Sequence, residues 1–296
     1  MKVLTFVIIN LQFWTISMLG GVIRDDVNIN KYTTLANQSR FDCVGEIIRD
    51  NEVVGSCVLI GEKYVVSTAH VFIEHDFKSD TMQISGQTII AIVPYNDHVG
   101  NIYNYTFRFK GKKYDAEKML IHPLYLDSDP NRSCDLVLIT LKSQAKGITL
   151  PLLCNTFDEL HSTYIGVGFG KPAFATKNQI IPNKSLKIAG ENVVDSITGF
   201  EIDGNKSVLM SDFDCPWTNN CNSMGDSIPK NLEYLCSGGD SGGGIFRTSN
   251  KQLVLIGLTS LTNFDIQLQA KSGYYGQTMG FLRISTFNKW ILNNMK

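Results

Sequence analysis

The chain has 296 residues, a formal net charge of -1, 43% hydrophobic residues and seven cysteines. The near-neutral charge gives no reason to expect nucleic acid or an anionic membrane surface as a partner. A chain of this length can form one all-β domain or two packed half-domains, and no low-complexity linker or short repeat divides it.

The first 20 residues have the pattern of a secretory signal peptide, because Lys2 precedes an apolar stretch that small residues follow. Cleavage fits after Ser17, Gly20 or Gly21. The alternative is a membrane anchor, but polar residues interrupt the apolar stretch and no second span follows. We therefore expect a secreted, extracellular protein that has no membrane partner once the signal peptide is removed.

The first half of the remaining chain is predicted to consist of short strands. Residues 21–40 are mostly polar and are expected to wrap the surface. Asp50 and Asn51 form a turn between two strands. The predicted strands are 41–48, 52–60, 64–67, 119–122 and 136–141, and residues 142–155 connect the two halves.

The second half continues with short strands and ends in a helix. Residues 215–235 are rich in turn-forming residues and predict a surface loop. The helix is predicted over residues 285–294, with Ser285 as its N-cap and three large apolar residues at helical spacing. The predicted strands of this half are 164–170, further short strands within 200–212, then 253–260 and 280–284.

The most informative stretch is Cys-Ser-Gly-Gly-Asp-Ser-Gly-Gly-Gly at residues 236–244. A serine hydroxyl is a weak nucleophile unless a base removes its proton and hydrogen-bond donors hold the oxyanion that forms. The glycines around Ser241 allow sharp turns that point backbone N–H groups at one spot. The N–H groups of Gly239 and Ser241 are therefore expected to form an oxyanion hole.

Two upstream segments supply the other groups that a nucleophilic serine needs. An apolar strand ends in Thr-Ala-His at His70, and Asp135 begins a run of apolar residues. These segments and the one around Ser241 resemble those of the trypsin/chymotrypsin-like serine peptidases. The order His70, Asp135, Ser241 is the chymotrypsin order, whereas subtilisins and α/β-hydrolases use other orders.

The resemblance implies an all-β, chymotrypsin-like fold: two antiparallel six-stranded β-barrels, at about 41–145 and 150–284, with a C-terminal helix. It implies a secreted serine endopeptidase with a catalytic triad of His70, Asp135 and Ser241. The implied partners are a protein or peptide substrate and protein inhibitors of a monomeric enzyme, without metal or cofactor. The alternatives are a non-catalytic binding protein of the same fold and, with less support, an esterase.

The substrate pocket departs from the pattern of trypsin-like members, which have an aspartate at its base six residues before the nucleophile. Counting back from Ser241 gives Leu235, and alignment on Cys236 gives Tyr234; neither is acidic. Thr262 and Met279 are placed by the resemblance near the pocket walls. We therefore expect an apolar, narrow pocket that does not favour Lys or Arg.

The seven cysteines indicate an oxidising compartment, and their odd number leaves at least one outside any internal bridge. The family's bridge beside the catalytic histidine cannot form in its usual way here. The resemblance leaves Cys134 as an alternative partner for Cys57, and either Cys215 or Cys221 as the partner of Cys236.

The activation segment of the family is also missing. In animal members, cleavage after a basic residue frees an Ile-Val-Gly-Gly or similar end, and its ammonium pairs with the aspartate that precedes the serine, here Asp240. No such motif follows Arg24, Lys31 or Arg40. We expect no trypsin-type activation cleavage. Either signal removal or later trimming frees an end near Val22, or Asp240 is satisfied by side-chain or backbone donors.

Overall fold

The computed structural model describes seven segments of the chain. Residues 1–19, which hold most of the predicted signal peptide, lie outside them. In the described part, no helix is both long and apolar enough to cross a membrane. The described segments are 20–84, 87–127, 134–175, 185–217, 221–236, 238–262 and 274–295.

Strands dominate the described residues. In chain order they are β1 (Gly20–Ile23), β2 (Val44–Arg49), β3 (Glu52–Gly61), β4 (Tyr64–Ser67), β5 (Ile73–Ile84), β6 (Gln87–Val99), β7 (Tyr105–Phe109), β8 (Lys112–Ile121), β9 (Val137–Leu141), β10 (Leu152–Leu153), β11 (Thr163–Gly168), β12 (Pro172–Phe174), β13 (Ile188–Val193), β14 (Ser196–Ile202), β15 (Asn205–Asp212), β16 (Tyr234–Leu235), β17 (Gly244–Ser249), β18 (Gln252–Thr262) and β19 (Thr278–Arg283). The α-helices are α1 (Ile29–Ala36), α2 (Pro123–Asp127) and α3 (Ile284–Asn294).

The first half of the fold is a closed antiparallel barrel of six strands, in the order β2-β3-β4-β9-β8-β7. The β2–β3 hairpin turns at Asp50 and Asn51, as predicted, and both residues have positive φ, 51° and 65°. Asp and Asn tolerate this left-handed conformation, which matches the twist of the strands. The alternating pattern of β7 points Phe107 and Phe109 into the barrel interior, where both are buried.

The second half is one curved sheet in the order β13-β11-β17-β18-β19-β15-β14, with β10 added beside β18. The expected all-β, chymotrypsin-like class is confirmed, but a second closed barrel is not: among the described residues no pairing joins β13 to β14. This half is therefore a half-barrel rather than the six-stranded barrel that was expected.

The N-terminal segment is not the surface wrap that its polar composition predicted. Val22 and Ile23 are fully buried in β1, which lies between β12 and β16. Helix α1 follows, capped by the Asn28 side chain, and turns Tyr32 and Ala36 into the core. The polar residues of this segment occupy the outer face of a short amphipathic helix, so average composition did not reveal that the other face of the helix is buried.

A long hairpin follows the segment that carries His70. Strands β5 and β6 pair only with each other among the described residues and form a separate two-stranded sheet. Their described side chains outside the base, such as Phe77 and Tyr95, are exposed. Residues 73–81 lack the polar–apolar alternation that identifies a half-buried strand, so the sequence did not predict this hairpin.

The C-terminal helix α3 is present as predicted, but it begins one residue earlier. Its N-cap is Arg283, and Ser285 lies within the first turn. The Ser285 hydroxyl donates instead to the buried carboxylate of Glu159, which also accepts from Arg283 at 2.6 Å. The N-cap assignment of Ser285 was therefore wrong, because a long-range polar contact occupies its side chain.

Candidate active site

Two neighbouring strands of the barrel bring His70 and Asp135 together. Strands β4 and β9 are antiparallel and pair Ser67 with Val137, so the end of one lies beside the start of the other. His70 comes three residues after Ser67, and Asp135 comes two residues before Val137. The imidazole Nδ1 lies 2.6 Å from Asp135 Oδ2, and the His70 backbone N–H donates to Asp135 Oδ1 at 2.8 Å. The carboxylate thus fixes both the backbone and the ring of the histidine.

Asp135 is 1% exposed and is held as an acceptor. Burial opposes its ionisation, but the charge and hydrogen bonds of His70 and the hydroxyl of Ser260 outweigh burial and hold the pKa below its usual range. Ser260 donates to Asp135 Oδ2 at 2.6 Å. An ionised carboxylate here keeps a proton on His70 Nδ1 and leaves Nε2 able to accept one.

Ser241 lies on the other side of the imidazole. Its Oγ is 2.8 Å from His70 Nε2, which completes a continuous hydrogen-bonded line from Ser241 through His70 to Asp135. The loop that carries Ser241 ends where β17 begins at Gly244, and it is held to β18 because Gly242 N–H donates to the Thr259 carbonyl at 2.8 Å. The three residues predicted from separate motifs are therefore brought together.

The backbone before Ser241 adopts a conformation that requires glycine. Gly239 has a φ of 92°, which residues with a side chain rarely adopt. Within the described part of the chain, the N–H groups of Gly239 and Ser241 donate to no other protein group. Two N–H groups in this position are available to a negatively charged oxygen near Ser241.

Ser56 of β3 links the barrel to this loop. Its backbone N–H donates to the Ser241 carbonyl at 2.8 Å, and its hydroxyl donates to the Gly239 carbonyl at 3.1 Å. The same hydroxyl accepts from Phe169 N–H at 2.9 Å. Ser56 therefore ties both Gly239 and Ser241 to the barrel.

Asp240 is buried, and its carboxylate accepts hydrogen bonds from two backbone N–H groups. Gly21 donates to Oδ2 at 2.6 Å and Gly170 donates to Oδ1 at 2.9 Å. Gly21 lies in β1, so the N-terminal strand directly supports the residue that precedes Ser241. The sequence analysis left two ways to satisfy Asp240: a freed chain end near Val22, or side-chain or backbone donors. In the structure both of these donors are backbone N–H groups.

Three of the four predicted pocket residues contribute almost no exposed surface. Leu235 and Met279 are 0% exposed and Tyr234 is 1% exposed. The Tyr234 ring packs so closely on Gly190 that a Cβ there would lie 2.4 Å from Tyr234 Cβ. Tyr234 therefore packs in the core, and its place in the pocket, like those of Leu235 and Met279, stays a prediction. The side chain of Thr262, the end of β18, lies outside the described residues.

The remaining histidines do not belong to this site. His122, which the sequence analysis left without a catalytic role, is buried against Phe287 and Trp290 at centroid distances of 5.2 and 4.9 Å. Burial lowers the pKa of His122 to about 4. His75 contacts Asp97 across the β5–β6 hairpin at 2.6 Å.

The expected disulfides are not formed. Cys57 and Cys236 both carry free, fully buried thiols. Burial raises the pKa of both thiols, which makes them poor nucleophiles.

Among the described residues, no group of three or more His, Cys, Asp and Glu side chains is arranged to hold a metal ion.

Sequence reasoning missed two residues of this site, Ser260 and Ser56. Both are serines within apolar strands, and each acts on a residue that is distant in the sequence. For Ser260 the structure offers one local clue: the register of β18 shifts between Thr259 and Leu261, so Ser260 occupies a bulge. Bulges near active sites commonly redirect a side chain.

Comparison with known proteins identifies the family and the fold. A family model described as Trypsin matches residues 32–291. A similar solved structure is neuropsin, a serine protease expressed in the limbic system of mouse brain; the two share 17% identity with a TM-score of 0.54, over 86% of this chain and 95% of that chain. At this identity the likeness shows the fold alone. No curated protein sequence matched the chain.

Proposed function

This chain belongs to the trypsin family, and on that premise we propose that it is a secreted serine endopeptidase. One observation carries the proposal: Ser241 Oγ, His70 and Asp135 are joined by hydrogen bonds of 2.8 and 2.6 Å. This is the arrangement that peptide hydrolysis by an activated serine requires. The proposed mechanism needs no metal or cofactor.

In the proposed reaction, Ser241 Oγ attacks the carbonyl carbon of the substrate while His70 Nε2 takes its proton. Asp135 holds the imidazole in the required tautomer and stabilises the imidazolium that forms. The N–H groups of Gly239 and Ser241 bind the oxyanion. His70 then protonates the leaving amine, an acyl-enzyme remains on Ser241, and a water molecule activated by His70 hydrolyses it.

We propose a preference for small or apolar side chains immediately before the cleaved bond. The support is the absence of an acidic residue at both positions that the sequence places at the base of the pocket, Leu235 and Tyr234. Without a buried carboxylate, a Lys or Arg side chain would lose its hydration without gaining a charged partner. A peptide-library profile dominated by Lys or Arg would contradict this preference.

The second candidate function is binding without cleavage by a member of the same fold. Non-catalytic relatives usually lack one residue of the triad, whereas His70, Asp135 and Ser241 are all present and in contact. The two candidates differ in one measurable property, which is the reactivity of Ser241 towards an electrophile that mimics an acyl substrate.

A fluorescent phosphonate separates the two candidates. Wild-type protein and the control variant Ser249→Ala, which alters an exposed serine at the end of β17, should both be labelled and should hydrolyse peptides. Ser241→Ala should not be labelled and should lose hydrolysis by about a thousandfold or more. Correctly folded wild-type protein that shows neither labelling nor hydrolysis would favour the binding function.

Recovery of the protein in the medium of a secretory host tests the proposed localisation.

A further inference from the structure

The chain just after β15 lies beside residues 222–224, and we call these two adjacent segments, 212–214 and 222–224, the neck. Asp212, the last residue of β15, accepts at Oδ2 from Ser223 N–H at 2.5 Å and from Met224 N–H at 3.1 Å. One step further out, Asn222 Nδ2 donates to Asp214 Oδ1 at 3.4 Å. These contacts hold residues 212–214 alongside 222–224.

Cys215 and Cys221 form the next pair of residues along this neck. The Cys215 side chain is buried and hydrogen-bonds the Cys221 thiol, which is partly exposed. Burial, and then this contact with Cys215, raise the pKa of Cys221 to about 11. The two sulfurs therefore meet where the loop closes, with Trp217 exposed between them in the sequence.

Cys236, which the sequence analysis expected to pair with one of these two, faces elsewhere. It is fully buried next to β16, its N–H approaches Met279 Sδ at 3.3 Å, and its thiol contacts Thr259. The hydrogen bonds of the neck instead bring Cys215 and Cys221 next to each other.

We propose that Cys215 and Cys221 form a disulfide that closes the loop of residues 215–221. A small-molecule disulfide is the oxidant. The more exposed Cys221 attacks it as the thiolate, releases one thiol and becomes a mixed disulfide; Cys215 then attacks the Cys221 sulfur and releases the second thiol. The two protein thiols lose two protons and two electrons, and the oxidant becomes two thiols.

The bridge would brace the segment that leads into β19. The Cys221 carbonyl lies against Gly276, where a Cβ would come within 2.2 Å of it. Gly276 N–H donates to the Phe213 carbonyl at 2.7 Å, and the Ser223 hydroxyl donates to the Gly276 carbonyl. A disulfide at this neck therefore stabilises both the loop and the start of β19, two residues further on.

The test uses the full chain carrying Ser241→Ala, so that self-cleavage cannot interfere. Because the high pKa of Cys221 slows oxidation, the protein is equilibrated with oxidised and reduced glutathione, or with excess reductant. It is then denatured, alkylated with iodoacetamide and digested with trypsin. Both cysteines fall in one tryptic peptide, residues 207–230. After oxidation this peptide should be unalkylated and lighter by two hydrogens, and after reduction it should carry two alkyl groups.

Thermal unfolding gives a second readout. Closing a loop of this size should raise the unfolding temperature by about 5 °C in the oxidised sample. Cys215→Ser and Cys221→Ser should each abolish that shift, whereas the matched control Cys154→Ser should retain it. A peptide that stays doubly alkylated under oxidising conditions, or that is found cross-linked to Cys236, would overturn the proposal even if the serine variants fail to fold.

Discussion

Ser260 donates its hydroxyl to Asp135 Oδ2 over 2.6 Å, the same oxygen that lies 2.6 Å from His70 Nδ1. The buried carboxylate is thus held from two sides. Removing a hydrogen bond to a charged group costs about 1.5–3 kcal/mol. We therefore expect Ser260→Ala to lower kcat by about tenfold to a hundredfold, with a smaller change in KM.

Steady-state kinetics on a peptide substrate measures this effect, and Ser249→Ala serves as the exposed control. Ser260→Thr keeps the hydroxyl and should recover part of the loss. An unchanged kcat in Ser260→Ala would show that the hydrogen bond does not support the proposed catalysis.

The second prediction concerns activation. Val22 and Ile23 are fully buried in β1, and Arg24 Nη1 donates to the Lys230 carbonyl at 2.8 Å, so the chain near Arg24 is held in place. Asp240 already accepts from Gly21 N–H. We expect trypsin treatment not to raise activity, and N-terminal sequencing of active protein to find no cut after a basic residue. A precursor that is inert until cleaved after Arg24 would contradict this.

The third prediction tests the role of Asp240 itself. Asp240→Asn replaces one acceptor oxygen by an NH₂ donor, which opposes the N–H group of either Gly21 or Gly170. The loop that carries Gly239 should then lose its conformation, and kcat/KM should fall by about a hundredfold. Asp203→Asn changes an exposed turn residue and serves as the control. A fully active Asp240→Asn variant would show that the carboxylate is dispensable.

Local sequence was sufficient to predict the groups that carry the proposed chemistry. His70 and Ser241 each lie in a short motif whose residue types the reaction requires. Their supporting contacts were not predictable, because Ser260 and Ser56 act through partners that only the folded chain brings near. Tyr234 shows the same limit: alignment on Cys236 gave its position, but close packing on Gly190 decides that it is buried.

The remaining misassignments have similar causes. Residues 21–40 are polar on average, yet Val22 and Tyr32 are buried, because β1 lies between two other strands and helix α1 exposes only one side. Among the described residues β5 and β6 pair only with each other, and residues 73–81 show no regular polar–apolar alternation that would have predicted a strand. The contact between Cys215 and Cys221 depends on hydrogen bonds that Asp212 accepts from Ser223 and Met224, and cysteine spacing does not encode them.

The fourth prediction concerns stability in alkaline solution. Burial raises the pKa of Asp195 and Asp214 to about 7 and that of Glu233 to about 9, with nearby carboxylates adding to the effect. Unfolded carboxyl groups titrate near pH 4. Between about pH 4 and pH 9 the folded state therefore binds more protons, so stability falls as pH rises across this range and stops falling once the groups have ionised, at about pH 7 and about pH 9. Asp214→Asn should reduce this slope, and Asp203→Asn should not.

Thermal unfolding in the Ser241→Ala background, at about pH 6 and about pH 9, measures this dependence. The unfolding temperature of the parent should be several degrees lower at the higher pH. Equal slopes for Asp214→Asn and the parent would show that Asp214 is ionised in the folded state at neutral pH.

The fifth prediction concerns His122 in acid. Its ring is enclosed by Phe287 and Trp290, its Nδ1 has no hydrogen-bond partner among the described residues, and burial lowers its pKa to about 4. An unfolded histidine titrates near pH 6.5. The unfolded state therefore binds more protons between about pH 6.5 and pH 4, and the stability contributed by neutral His122 is lost as pH falls through this range.

His122→Phe should flatten this acid limb, because phenylalanine has no proton to gain and its ring suits the aromatic surroundings. His161→Asn is the matched control: His161 is exposed and has a φ of 63°, which asparagine tolerates. Unfolding by urea at several values between about pH 4 and pH 7, again in the Ser241→Ala background, gives the free energies. His161→Asn should lose stability in acid as steeply as the parent. If His122→Phe does so as well, protonation of His122 does not cause the acid loss of stability.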